Sequence, residues 1–166
     1  MEEWLFWQVG GLGPMAGQLS HFQNYAPHVD PDADHGYATK RYAGEYARLL
    51  AVLDRRLATR RYLAAGAYTV ADMACFGWVL AYKNFGVDLG PFPHARRWYD
   101  ALKVRPALRR GVSAGKDARG PVSSTIQRAD ADSLKRLFVQ DAGTVGGGGG
   151  GGGDEKRGGG AGKSKL

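Results

Sequence analysis

The 166-residue chain carries 23 Lys and Arg against 16 Asp and Glu, a net charge of +7, with 26 glycines and a single cysteine. One cysteine excludes an internal disulfide framework and fits a reducing setting, and Glu2 and Glu3 stand where a secretory leader would carry positive charge. The arginines fall in scattered pairs at 55–56, 60–61, 96–97 and 109–110, which reads as solvated helix faces and helix C-termini rather than the concentrated stripe of a nucleic-acid binder.

Composition shifts near residue 115. Residues 1–114 are rich in Leu, Ala, Trp and Tyr and read as one small helical domain; residues 115–166 are polar, include eight consecutive glycines at 146–153, and read as a mostly disordered tail. Within the domain, apolar residues recur at three- and four-residue steps and nothing alternates over a strand's length, so the expected class is all-α, a bundle of about five helices.

The first helix is expected over residues 3–25, with Leu5, Leu12, Met15, Leu19 and Phe22 on one stripe. Gly10, Gly11, Gly13 and Pro14 interrupt it and predict a kink or local loosening. Residues 28–36 form an acidic loop. Its Asp30, Asp32 and Asp34 resemble the start of a calcium loop, but position six is His35 and position twelve is Arg41, so no calcium site is expected. His21, His28 and His35 recur every seven residues, yet the loop and Pro31 break any shared face, and no metal site is expected there either.

A second helix is expected over residues 37–58, with Tyr42, Tyr46, Leu49, Leu50, Leu53 and Leu57 inward. On its other side Arg41, Glu45 and Arg48 are spaced for a surface ion-pair ladder. The third helix opens on the sharpest local signal in the chain. Thr69-Val70-Ala71-Asp72 has the spacing of a capping box, and Tyr68 and Met73 are placed for the accompanying hydrophobic staple. Residues 73–82 are apolar but too short to span a bilayer, and read as a helix buried on all sides; Cys75 within it is expected to be inert. A fourth helix starts at Pro93, turns Trp98, Tyr99 and Leu102 inward and ends before Pro106, and a short last one covers residues 107–112. In the tail, residues 131–139 have the pattern of one or two amphipathic turns through Leu134, Leu137 and Phe138.

The chain ends Gly162-Lys163-Ser164-Lys165-Leu166. A phosphate-binding loop is excluded, because its first glycine would fall on Arg157 and no helix can follow. Ser164, Lys165 and Leu166 match the terminal tripeptide read by the peroxisomal import receptor, so a peroxisomal address is expected, with a cytoplasmic location as the alternative.

Two stretches resemble a known family. Trp4-Leu5-Phe6-Trp7-Gln8-Val9-Gly10-Gly11-Leu12-Gly13-Pro14-Met15, followed by Gly17-Gln18, His21-Phe22 and Ala26-Pro27, resembles the opening of the C-terminal domain of glutathione S-transferases, in particular the bacterial nu-class (disulfide-bond oxidoreductase) group and its fungal nitrogen-regulator relatives. Tyr68-Thr69-Val70-Ala71-Asp72, then Phe92-Pro93 to Trp98 and Arg105-Pro106-Ala107, is similar to motifs found throughout that superfamily. The resemblance covers residues 3–114. It implies a helical bundle that packs behind a thioredoxin-like domain and walls the pocket for the electrophilic substrate. It further implies that Arg41 lies close to the glutathione sulfur, where a guanidinium would stabilise a thiolate, and that Trp7, Met15, Gln18 and Phe22 line the cleft. The ion-pair ladder stands beside this as the other reading of Arg41. The loop before it is longer and more acidic than in that branch, and Lys40 stands where an acidic residue is common.

The βαβαββα domain that binds the glutathione peptide and activates its thiol has no counterpart in these residues, and no catalytic residue is assigned. Glutathione is therefore expected as cosubstrate only when such a domain is supplied. The expected partners are a thioredoxin-like domain or a second copy, through exposed apolar surface, with the import receptor for the tail and with neither nucleic acid nor membrane insertion. The alternative function is a non-catalytic scaffolding module of the same fold.

Overall fold

The architecture comes from a computed structural model that describes residues 1–114 together with Ser133, Leu134 and Phe138. The glycine run and Ser164, Lys165 and Leu166 lie outside the described residues. Of the amphipathic turn expected over 131–139, Ser133, Leu134 and Phe138 are described, and all three are helical.

The first helical ribbon is longer than expected and holds two irregularities. It runs through α1 (Glu2–Trp7), a π turn at Gln8–Leu12, α2 (Gly13–Ser20), a second π turn at His21–Tyr25 and α3 (Ala26–Val29). Each π turn ends just ahead of a proline. Pro14 has no N–H for the carbonyl of Gly10, and Pro27 has none for Gln23, while each ring crowds that same carbonyl. The residue before each proline instead donates five positions back, Gly13 to Gln8 and Ala26 to His21. The widened turn keeps the ribbon helical where a kink would otherwise break it.

α4 (Gly36–Leu57) is the spine, α5 (Val70–Leu80) carries the capping box, and α6 (Pro93–Lys103) and α7 (Pro106–Ser113) close the bundle. Among the described residues the elements form five helical rods and no strand. The core lies where the ribbon, α4, α5 and α6 meet. Leu12 and Leu19, Tyr46, Leu50, Leu53 and Leu57, Cys75 and Val79, Trp98 and Leu102 are all at most 1% exposed there. Close approach of α2 and α5 depends on a glycine: a Cβ on Gly13 would sit 3.0 Å from Trp78 Nε1 and 2.6 Å from Gln8 Nε2.

The sequence expectation of a third helix buried on every side is corrected. Val70 and Met73 of α5 are 46% and 49% exposed, because no other described helix covers the outer side of its first turns. Met73 is thus turned to solvent rather than stapled. The ring of Tyr68 carries the Arg105 guanidinium at 3.9 Å and meets Tyr62 edge-on.

Candidate functional site

The capping box at the head of α5 forms, and it does more than cap. The Thr69 amide donates to Asp72 Oδ2 at 3.0 Å and the Thr69 hydroxyl donates to the same oxygen at 3.2 Å. Asp72 Oδ1 accepts from the Leu63 amide at 3.0 Å and from Trp98 Nε1 at 2.9 Å. A fully buried carboxylate thereby ties the loop before α5, the α5 N-terminus and α6 to one point. Two of these donors, the Leu63 amide and the Trp98 indole N–H, are buried and would be left unsatisfied without it.

The ends of the other helices are satisfied in the same cross-helix manner. Asp54 on α4 accepts from the His94 and Ala95 amides at 2.7 and 2.8 Å, capping α6 from outside its own sequence. Arg97 on α6 returns the contact, donating to the carbonyl of Leu57, the last residue of α4, and to that of Arg60 beyond it. The Tyr46 hydroxyl donates to the Trp78 carbonyl in the last turn of α5, and burial pushes its pKa up. None of these partners is within thirty residues of the other, so no local pattern announces them.

Arg41 sits on the exposed side of α4. Its guanidinium lies 3.9 Å from Glu45, which is held more closely by a two-pronged contact from Arg48 at 2.7 and 2.9 Å. The hydrogen bond from Arg48 is the main reason the Glu45 pKa falls below its ordinary value. The open groove beside Arg41, about 450 Å³, is lined by Tyr37, Lys40, Arg41, Gly44 and Glu45, all on α4. The ladder read from the spacing is present, and the guanidinium faces solvent.

The four cleft candidates are spread along the ribbon. Trp7 packs edge-on against Trp4 at 5.1 Å, Met15 lies half-buried against the core, and Gln18 is exposed. Phe22 reaches α4 by stacking on Tyr42 at 5.6 Å, which brings it to the residue next to Arg41. On its other side the aromatic run continues through His21 and Tyr25 to Phe138 of the tail, 4.7 Å from Tyr25. Cys75 is buried, and desolvation together with the Asp72 charge pushes its pKa up to about 12. It is not a thiolate at neutral pH. Asp30, Asp34 and His35 serve the acidic loop itself: Asp34 accepts from the Gly36 amide and His35 Nε2 is 2.8 Å from the Asp30 carbonyl.

Residues 26–106 match the family described as glutathione S-transferase, C-terminal domain, a stretch that includes Arg41, Thr69 and Asp72. This stretch of the chain belongs to that family. The disulfide-bond oxidoreductase YfcG of Escherichia coli (strain K12) is 44% identical over 105 residues, which make up 63% of this chain and 46% of that protein. The disulfide-bond oxidoreductase YghU of the same strain is 34% identical over 140 residues, 80% of this chain and 46% of that one. Among solved structures, a glutathione transferase from Burkholderia graminis with two glutathione molecules bound per subunit superposes with a TM-score of 0.59 at 35% identity, over 69% of this chain and 48% of that one. The chain spans about half the length of the curated relatives it matches. Its all-helical bundle is the glutathione S-transferase C-terminal fold, as the sequence motifs implied.

Proposed function

We propose that this glutathione S-transferase C-terminal domain forms the electrophile-side wall of a glutathione-dependent transferase or disulfide reductase, and acts in that chemistry when a thioredoxin-like domain is packed against it. The observation that carries the reading is the open apolar surface on α1 and on the first turns of α5, two helices that pack side by side. Phe6 of α1 and Val9 in the π turn that follows it are 73% and 63% exposed, and Val70 and Met73 of α5 are partly bare. Such a surface is where a covering domain or a second copy of the chain would seat. In this role Arg41 would have its charge available for the glutathione sulfur, and Trp7, Met15, Gln18 and Phe22 would face the electrophile. The solved relative that holds glutathione supports the choice of thiol.

The division of labour follows from the side chains present. Cys75 is too deeply buried to supply a thiolate, so activation falls to the partner domain. The test is a fusion of a thioredoxin-like domain from a glutathione-binding relative ahead of Met1. It should bind glutathione and turn over a disulfide or chlorodinitrobenzene substrate, and Arg41→Ala should lower kcat/KM by about tenfold or more. A fusion that folds, binds glutathione and is indifferent to Arg41→Ala removes Arg41 from the chemistry.

A scaffolding role is the second reading, and one observation favours it: the Arg41 guanidinium is engaged in the α4 ion-pair ladder and opens to solvent. Turnover by the fusion separates the two, since a scaffold would leave the fusion inactive and indifferent to Arg41→Ala while keeping a protein partner. For location, we propose import into peroxisomes through Ser164-Lys165-Leu166, where peroxides and reactive lipids are the electrophiles to be handled. A fluorescent fusion ending in those residues should be punctate, and one lacking Leu166 diffuse.

A further inference from the structure

The end of α4 gathers charge that the sequence had dispersed in pairs. Val52, Arg55 and Arg56 in the last turns of α4, Thr59 and Arg60 just beyond its end, and Trp4 of α1 line a groove of about 390 Å³. Thr59 and Arg60 also line an adjoining groove of about 540 Å³, together with Arg61, Arg97 and Trp98. Five guanidinium groups therefore surround one helix end. The ion pairs among the described residues involve Arg41, Arg48, Arg96 and Lys103, and none of these five.

Three of the five have structural work. Arg56 donates to the Leu63 carbonyl and covers the Trp4 ring at 5.3 Å, Arg97 caps α4, and Arg61 lies over Tyr62. Arg55 and Arg60 are exposed and their guanidiniums have no partner among the described residues. Asp54, the nearest carboxylate along α4, is committed to the α6 amides. The C-terminal dipole of a helix offsets only about half an elementary charge, far short of what is gathered here. A second observation comes from the wall of the groove. Trp4 is 7% exposed, and its indole N–H is buried with no acceptor.

We propose that this face binds an organic polyphosphate: an anion with two or more phosphate groups joined to an apolar or aromatic moiety. Guanidinium forks match phosphate oxygens in pairs, and Arg55 and Arg60 are the two free to do so, with the Thr59 hydroxyl between them in sequence. Both grooves have the size of small-molecule sites rather than of an extended macromolecular track. Trp4 and Val52 supply the apolar wall that inorganic phosphate alone would not use. The site is independent of the glutathione reading, since it lies at the far end of α4 from Arg41.

The test is calorimetric titration of the full 166-residue chain at low salt, using ATP as the probe, pyrophosphate and adenosine as its separated halves, and a poly-glutamate peptide as the acidic-chain control. ATP should bind at one site at least about tenfold more tightly than either half, and the double variant Arg55→Gln, Arg60→Gln should weaken it by about tenfold or more. The melting temperature of that variant should be unchanged, because neither side chain holds the fold together. The proposal is overturned if ATP does not bind at millimolar concentration, if pyrophosphate binds as well as ATP, if the double variant binds normally, or if poly-glutamate binds more tightly than ATP.

Discussion

Asp72 is the residue on which the most structure converges. Its local half was legible, because a Thr and an Asp three residues apart ahead of an apolar run announce a reciprocal cap. Its other half was not: Leu63 and Trp98 reach Oδ1 from nine and twenty-six residues away, and a backbone amide carries no sequence signature. Replacing Asp72 with Ala leaves two buried donors unsatisfied and removes the cap, and should cost about 3–5 kcal/mol in urea unfolding, well above the ~1 kcal/mol of an isolated cap. A loss near 1 kcal/mol would mean that the carboxylate is only a cap. Beside it, Cys75 makes a pH prediction with a definite sign. Its pKa rises from 9.0 in the unfolded chain to about 12 in the fold. The folded state therefore favours the neutral thiol, and this contribution is intact below about pH 9 and lost between pH 9 and 12. Ellman's reagent at pH 8 should label Cys75 only as fast as the chain unfolds. Glu45 runs the other way: its pKa is lowered from 4.5, so its contribution is present above that value and disappears as acid protonates it. Glu45→Gln should narrow the stability gap from the parent chain as pH falls below 4.5.

The elements show where local pattern ends and packing begins. Helix existence, the inward face of α4 and the start of α6 at Pro93 follow from periodicity and turn chemistry. The loosening expected around Gly10 to Pro14 is a π turn. A second, at His21–Tyr25, was not expected: the helix was expected to stop at residue 25, whereas the ribbon continues with Pro27 as the second residue of α3. The link of α4 to α6 by Asp54 and Arg97 is wholly tertiary. Asp54→Ala should destabilise by about 1–2 kcal/mol, the range of a strong N-cap, and the loss should appear first as faster amide exchange at His94 and Ala95. Between α4 and α5 the chain reverses through Ala64 and Ala67 with Ala65 at φ 54° and Gly66 at φ 66°. A Cβ in the left-handed region costs about 1–2 kcal/mol, and Asn tolerates it better than Ala. Ala65→Asn should therefore raise the urea midpoint with no change in slope; a lower midpoint would show that the methyl group matters more than the backbone.

At the scale of the whole molecule, the bundle keeps one well-packed core and leaves apolar side chains of α1 and α5 in water. The sequence motifs identified the family and its helical class. They did not reveal that the first turns of α5 are bare, since an apolar run reads as buried whichever side its neighbours take. Nor did they reveal that dispersed arginine pairs meet at the end of α4, which depends on α6 arriving there. In the proposed role, glutathione chemistry belongs to this domain only in the company of a thioredoxin-like one. Glutathione titrations of the 166-residue chain and of its fusion to such a domain test it most directly. The chain alone should neither bind nor conjugate glutathione, and the fusion should bind it saturably and turn over; glutathione conjugation by the 166 residues unaided would contradict the proposed role.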